Sequence, residues 1–332
     1  MLVSIVITNY NYGEYLADAI TSALGQSYPR TEIIVVDDGS TDQSSRIIAS
    51  YGSSIIAIFK DRGGHCSAAN AGFAVSRGDI LIFLDADDYL LGSAVDALVE
   101  PIRKDRSVSK SQGYLLAVDK EGAPIGRTIP RRLSPSGNYR DPILSRGPAA
   151  CRHAYTSGNA WPRWFLNQVM PLPEEIDLAA DGCLNPVSTL FGRTESIDEI
   201  VGAYRVHDRN KGPVSTTFSA ESLRWLLNRR KRTHVYLADW AQRLGHSVPV
   251  ERWHRRGGDW QHGLVRHSLA QMEGTPSAVP FRELIFAPFS TGHTSRPKAL
   301  LVFILLSILW MLPRKSALAM ARRMLRLPIA LQ

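Results

Sequence analysis

A chain of 332 residues, 44% hydrophobic and 21% charged, carries enough apolar matter for one large core or two modest ones, which excludes a largely disordered polymer. Cys66, Cys151 and Cys183 stand far apart with no CxxC or Cys/His spacing, so neither a zinc site nor a disulfide framework is indicated and a reducing compartment is the default. The net charge of +8 is unevenly placed, and an anionic partner, nucleic acid or a membrane surface, would belong to the C-terminal third; a solvated basic face is the alternative.

Met1 leads straight into LVSIVIT, which lacks the basic start and cleavage site of a secretory leader and reads as a first strand. SIVIT (4–8) precedes a predicted helix at Tyr15–Leu24, EIIVV (32–36) one at Asp42–Tyr51, SIIAIF (54–59) one at Ser67–Ser76, and ILIFL (80–84) one from about Ser93. Continuous apolar strands separated by helical stretches predict an α/β wound domain with a sheet covered on both faces. Beyond it come an extended segment at 113–118, Pro/Gly-rich loops at 130–148 and a helix over 219–244 with Leu223, Leu226, Leu227, Tyr236, Leu237 and Trp240 on its apolar side. Boundaries are expected near 105, between two halves of one domain (1–105 and 106–215), and near 215, where a basic appendage (216–295) begins. A tail over 296–332 follows.

Each predicted strand ends in polar residues: Thr8-Asn9-Tyr10-Asn11, Asp37-Asp38-Gly39-Ser40-Thr41-Asp42, Asp61-Arg62-Gly63-Gly64-His65 and Asp85-Ala86-Asp87-Asp88. In wound α/β sheets ligands gather at the carboxyl ends of strands, so four such loops in succession describe a site. In VVDDGSTDQS (35–44) a turn with Ser40, Thr41 or Asp42 as helix N-cap accounts for the small residues but not for the paired carboxylates, which suit a nucleobase N–H or a ribose hydroxyl. Asp85, Asp87 and Asp88 follow five apolar residues and repel one another. A hard cation, Mg²⁺ or Mn²⁺, answers that repulsion; an acidic helix start is the bland alternative.

SIVITNYNYGEYLADAITSALGQSYPRTEIIVVDDGSTD and GGHCSAANAGFAVSRGDILIFLDADD resemble the family 2 glycosyltransferases of GT-A fold. The resemblance is strong over about residues 3–105 and continues weakly to about 212 through TSGNAWPRWF, AADGCL and YRVHDRN. It implies a Rossmann-like nucleotide-binding domain with a mixed central sheet, here with a helical, basic C-terminal extension. By that resemblance Thr8, Tyr10 and Asp38 would contact the nucleobase, Asp37 would lie beside the nucleoside pocket, and Asp85 would sit near ribose and metal. Asp87 would ligate the Mn²⁺ or Mg²⁺ that meets the donor diphosphate. Inversion by single displacement then needs a general base. Asp181 in LAADGCL corresponds to the family's base, with Glu174, Glu175 and Asp177 as rivals, and Pro186 is expected to break the helix after it early.

His207 in YRVH could approach the metal or simply lie exposed, and Asn70 in SAANAGF resembles the family's Asn beneath the donor, with Ala69 where an Arg is common. Gly63 and Gly64 would admit close backbone approach, and Trp161 and Trp164 either stack on a sugar or pack in the core. Glu221-Ser222-Leu223-Arg224-Trp225 only loosely imitates the QxxRW signature of processive synthases, so single-sugar transfer from a nucleotide-diphosphate sugar is expected. No GxGxxG follows the first strand, which argues against a dehydrogenase.

In the tail, ALLVFILLSILWML (299–312) is too short for a clean span and is followed by a basic amphipathic pattern, KSALAMARRMLRL. The pair reads as a monotopic binder of an anionic membrane surface, or as a buried helix with a basic tail. The first reading makes a polyprenyl-linked acceptor, beside a saccharide, a natural substrate, and places the enzyme in the cytoplasm, peripherally on the inner face of the membrane. Two other functions stay open: a catalytically inactive nucleotide-binding adaptor at the membrane, and a nucleic-acid binder through Arg224–Arg266, with RRKR at 229–232 and RR at 255–256. Nucleic acid leaves the acidic loops unexplained and is not the expected partner.

Overall fold

The computed structural model describes residues 1–176, 178–210, 219–251, 253, 260–276, 279–290 and 296–326. Asp177 and the arginine pair at 255–256 lie outside them. Two units divide the chain: Met1–Arg140 with His153–His207, and Asp141–Arg152 with Asp208–Gln332.

The first unit opens as β1 (Val3–Asn9), α1 (Gly13–Leu24), β2 (Thr31–Asp38), α2 (Ser44–Ser50), β3 (Ile56–Lys60), α3 (His65–Val75) and β4 (Ile80–Asp85). Here the strand-helix alternation of the sequence is realised, and β3-β2-β1-β4 pair in parallel. Then follow β5 (Tyr89–Leu90), α4 (Ala94–Lys104), β6 (Val108–Val118) and β7 (Pro124–Ile129). After α5 (Arg140–Arg146) come β8 (Asn159–Pro162), α6 (Arg163–Val169), α7 (Ala180–Phe191) and β9 (Arg193–Arg205). Among the described residues nine strands form one sheet, ordered β3-β2-β1-β4-β8-β6-β9-β5 with β7 on β6. It is mixed because β8 runs antiparallel to both β4 and β6.

All seven residues of β1 are buried, as a strand covered on both faces requires. Val3, Ile5 and Ile7 pack with Leu16 and Ile20 of α1 and Leu98 of α4 in one apolar cluster. The register sets the site: Thr8 lies opposite Val36 and Asp85, and Asn9 opposite Asp37. The carboxyl ends of β1, β2 and β4 are therefore level.

Two local expectations are corrected. Helix α7 runs twelve residues through Pro186; one backbone bond is lost there, but ten of its residues are buried and hold the helix across the gap. Helix α2 starts only at Ser44, with Gln43 in the N-cap position, so none of Ser40, Thr41 and Asp42 occupies it. Asp42 instead accepts bonds from the amides of Ser44 at 2.9 Å and Gly13 at 2.9 Å; burial opposes its charge, but the Ser44 side chain and these amides outweigh burial and lower its pKa.

The second unit is helical: α8 (Ala220–Arg243), α9 (Trp260–Glu273), α10 (Phe281–Ser290), α11 (Arg296–Met311) and α12 (Arg314–Arg326). Ser219 caps α8 in a reciprocal box with Ser222. Leu264, Leu284, Val302, Leu306, Ala321 and Met324 form a separate apolar cluster. No described helix is long and apolar enough to cross a membrane.

Candidate functional site

At the end of β4 the chain turns through Asp85-Ala86-Asp87-Asp88. One carboxylate oxygen from each of the three aspartates lies within 4.8 Å of the others. Asp88 is 1% exposed; it accepts from Ser157 Oγ at 2.6 Å and from the Arg205 amide at 3.1 Å. Burial and the charges of Asp87 and Asp85 push its pKa well up. Burial also raises Asp87, with Asp85 adding to the shift and the His207 bond opposing it. Three carboxylates crowded beyond what their donors relieve form the oxygen-only donor set that a hard divalent cation fits.

His207 Nε2 lies 3.0 Å from Asp87 Oδ2, and its ring stacks on Tyr15 at 5.2 Å. The imidazole thus addresses a carboxylate of the triad instead of standing exposed. Two residues earlier, Arg205 is 3% exposed and donates to the carbonyls of Asp87 at 3.0 Å and Lys120 at 2.9 Å, and to the Asp18 carboxylate at 2.8 Å. Its guanidinium lies over Tyr15 at 4.6 Å. One end of β9 therefore fixes both the backbone of the acidic turn and the Asp87 side chain.

The loops after β1 and β2 are stapled together. Asp37 accepts from Asn9 Nδ2 at 2.7 Å and Ser40 Oγ at 2.5 Å, and Ser40 Oγ accepts from the Asn11 amide at 2.8 Å. Asp38 is 3% exposed and takes the amides of Gly63 at 2.9 Å and Gly64 at 2.7 Å with Lys60 Nζ at 2.8 Å. Gly64 sits at φ +90°, where other residues are strained, and a Cβ on Gly63 would strike the Ser67 side chain. The glycine pair thus serves the Asp38 carboxylate. Thr8 is 7% exposed, and its hydroxyl has no hydrogen-bond partner among the described residues. The Tyr10 hydroxyl accepts from Arg62 at 2.7 Å.

The start of α7 is tied to α3 and to the acidic turn. His65 Nε2 lies 2.8 Å from Asp85 Oδ1, and His65 Nδ1 accepts from the Ala180 amide at 3.1 Å. Burial disfavours a charged ring, yet the bond to Asp85 and its charge outweigh burial, with Cys66 and Asp181 adding, and raise the pKa to about 9. The Ala180 amide opposes that shift, because a cationic ring would have to give its bond up. His65 thus joins the acidic turn to the residue before Asp181, which is 8% exposed in the first turn of α7. Glu174 and Glu175 are exposed. Cys66 makes a second tie, donating from Sγ to the Leu178 carbonyl at 3.1 Å.

Asn70 spends its amide on the Leu172 backbone, donating at 2.8 Å and accepting at 2.7 Å, so it clips α3 to the 172 segment. Trp161 is fully buried against Phe83 and belongs to the core, while Trp164 is 40% exposed. The sequence places Asp88 among the crowded carboxylates and His65 in a strand-end loop, whereas Asp18, Ser157 and Arg205 lie inside the stretches that carry the resemblance with no role of their own read for them.

The model of glycosyl transferase family 2 matches residues 4–147. An uncharacterised glycosyltransferase of Nostoc is 31% identical over 256 residues, covering 76% of this chain and 79% of that protein. Chondroitin synthase of Escherichia coli is 33% identical over 148 residues, 44% of this chain but only 20% of its own length. Among solved structures, the mannosyltransferase PcManGT of Pyrobaculum calidifontis, in complex with GDP-Man and Mn²⁺, has a TM-score of 0.53 at 16% identity, covering 96% of this chain and 83% of that one. A TarS structure of S. aureus, in complex with UDP, has a TM-score of 0.51 at 18% identity, covering 94% and 91%. At such identities these two likenesses speak for the fold.

Proposed function

The chain belongs to glycosyl transferase family 2 and is a glycosyltransferase, and from that premise we propose that it moves a single sugar from a nucleoside-diphosphate donor to a hydroxyl of a saccharide or lipid-linked acceptor, with inversion. The observation that carries the reading is the convergence of Asp85, Asp87 and Asp88 at a strand end level with Thr8 and Asp37. Nucleotide complexes of the fold neighbours support a donor of this class.

In this reading the three aspartates, with His207 beside Asp87, would hold Mn²⁺ or Mg²⁺. When bound, the cation would neutralise the charge growing on the departing diphosphate. Thr8, Tyr10 and Asp38 receive the nucleoside, Thr8 through its unspent hydroxyl, while Asp37 braces the loop. Asp181 takes the proton of the acceptor hydroxyl as its oxygen attacks the anomeric carbon, and His65 keeps that carboxylate's helix in place against Asp85. A peripheral position on the cytoplasmic face of a membrane would bring lipid-linked acceptors within reach. The acid-free, basic sequence after Glu283 supports that position.

A panel of UDP- and GDP-sugars tests the proposal, with donor cleavage and transfer measured in Mn²⁺, in Mg²⁺ and after chelation. Turnover of one donor, abolished by EDTA and restored by either cation, is the expected result. Nucleotide binding without turnover of any donor would leave an inactive binding module.

A further inference from the structure

From Ala299 onward helix α11 is apolar on every side but for Ser307, a composition that ordinarily marks a helix enclosed by protein or lipid. Only one side is enclosed. Ala299, Val302, Leu306 and Leu309 are buried in the unit's own apolar cluster or beside it. Leu300, Leu301, Ile304, Ile308 and Met311 follow one another at helical spacing on the other side and are 45–81% exposed. The neighbouring α10 extends the apolar surface with Phe286, 54% exposed, whose ring meets Phe303 at 5.5 Å. Isolated exposed aliphatics are ordinary, but a continuous row across two helices marks a docking face.

Charge identifies the occupant. No Asp or Glu follows Glu283 in the chain. Exposed Lys298 stands in the first turn of α11 and exposed Lys315 just beyond its end, with exposed Arg322 and Arg323 on α12. An apolar strip with cations at both ends complements an anionic bilayer surface, acyl region below and phosphates at the rim. Length sets the depth: sixteen residues make a helix about 24 Å long, short of the hydrocarbon core of about 30 Å. The amphipathic α12 is not the inserting element, since its Ala317, Ala321 and Met324 are spent in the unit's own core.

We propose that the outward face of α10 and α11 lies flat in the headgroup region of an anionic membrane, with Ile304 and Ile308 at its centre. This rests on the peripheral-membrane reading above and names the face that performs it; it does not depend on the transfer chemistry.

Full-length protein is floated with vesicles of phosphatidylcholine mixed with phosphatidylglycerol, and with phosphatidylcholine alone, with no donor present. Wild type is expected to float with the mixed vesicles, and Ile304→Asp/Ile308→Asp to bind at least about tenfold more weakly, with an unchanged far-ultraviolet circular dichroism spectrum. Lys298→Glu/Lys315→Glu, which leaves the apolar row intact, should lose the preference for anionic lipid. Failure of wild type to float, equal binding by the Asp variant, or equal binding to phosphatidylcholine alone overturns the proposal. So does a wild-type dimer in light scattering that the Asp variant dissociates without any vesicle binding, which would make the face a contact between copies. Because flotation needs no turnover, its failure leaves the transferase reading standing, and absent turnover leaves the docking face standing.

Discussion

Asp37 and Asp87 are both strand-end carboxylates of this enzyme, yet their surroundings assign them different work. Asp37 is consumed by Asn9 and Ser40, neutral donors that leave it a loop brace. Asp87 meets two further carboxylates and one imidazole, and burial first, with the Asp85 charge adding to it, raises its pKa against the opposing His207 bond. Asp87→Ala is therefore expected to lower donor turnover on the order of a thousandfold and to remove its stimulation by Mn²⁺. Asp37→Asn should mainly lower the melting temperature. Steady-state rates across a Mn²⁺ titration check both. An Asp87→Ala enzyme still stimulated by the cation at wild-type concentrations would remove Asp87 from the metal site.

At the scale of elements, the end of β9 is a clamp. Arg205 carries its charge into a nearly closed environment and discharges it on two carbonyls and on Asp18. Asp18 itself is 61% exposed, so the ion pair contributes little and the carbonyl bonds carry most of the effect. Arg205→Met would leave the carbonyls of Asp87 and Lys120 without these donors, at a cost of about 3 kcal/mol. Urea unfolding should show that loss, together with a raised Mn²⁺ requirement as the acidic turn loosens. Unchanged stability would make the clamp decorative. None of this was legible in the sequence, whereas the strands were: β1, β2 and β4 announce themselves as apolar runs closed by polar loops, and periodicity is a local signal. Arg205 and Asp87 are 118 residues apart, Ser157 and Asp88 69, and His65 and Ala180 115, and no local pattern encodes such meetings. Pro186 shows the converse, a strong local breaker overruled by the burial of the helix around it. Nor does any local pattern show that the amides of Gly63 and Gly64 donate to Asp38, 25 and 26 residues earlier.

For the whole molecule, the two apolar clusters matter more than the single chain that joins them. One cluster is built from Val3, Ile5, Leu16 and Leu98 in the first unit, the other from Leu264, Val302 and Leu306 in the second. The second unit also takes residues 141–152 out of the middle of the first, an excursion no composition shift announces. Every residue proposed to touch donor, cation or acceptor belongs to the first unit. A ligand that binds only folded protein stabilises what it binds, by about 2.7 kcal/mol at a hundred times its dissociation constant. With a nucleoside diphosphate and Mn²⁺ at that level, hydrogen exchange in mild denaturant should slow about a hundredfold at the amides of β1, β2 and β4. Amides of α9, α11 and α12 should keep their rates, because their opening does not require the first unit to unfold. Equal slowing in both sets would show one cooperative structure, in which nucleotide binding is felt as far as the face proposed to meet the membrane. Unequal slowing would separate the stability of the first unit from that of the second, so that lipid vesicles should protect α11 while leaving β1 unchanged.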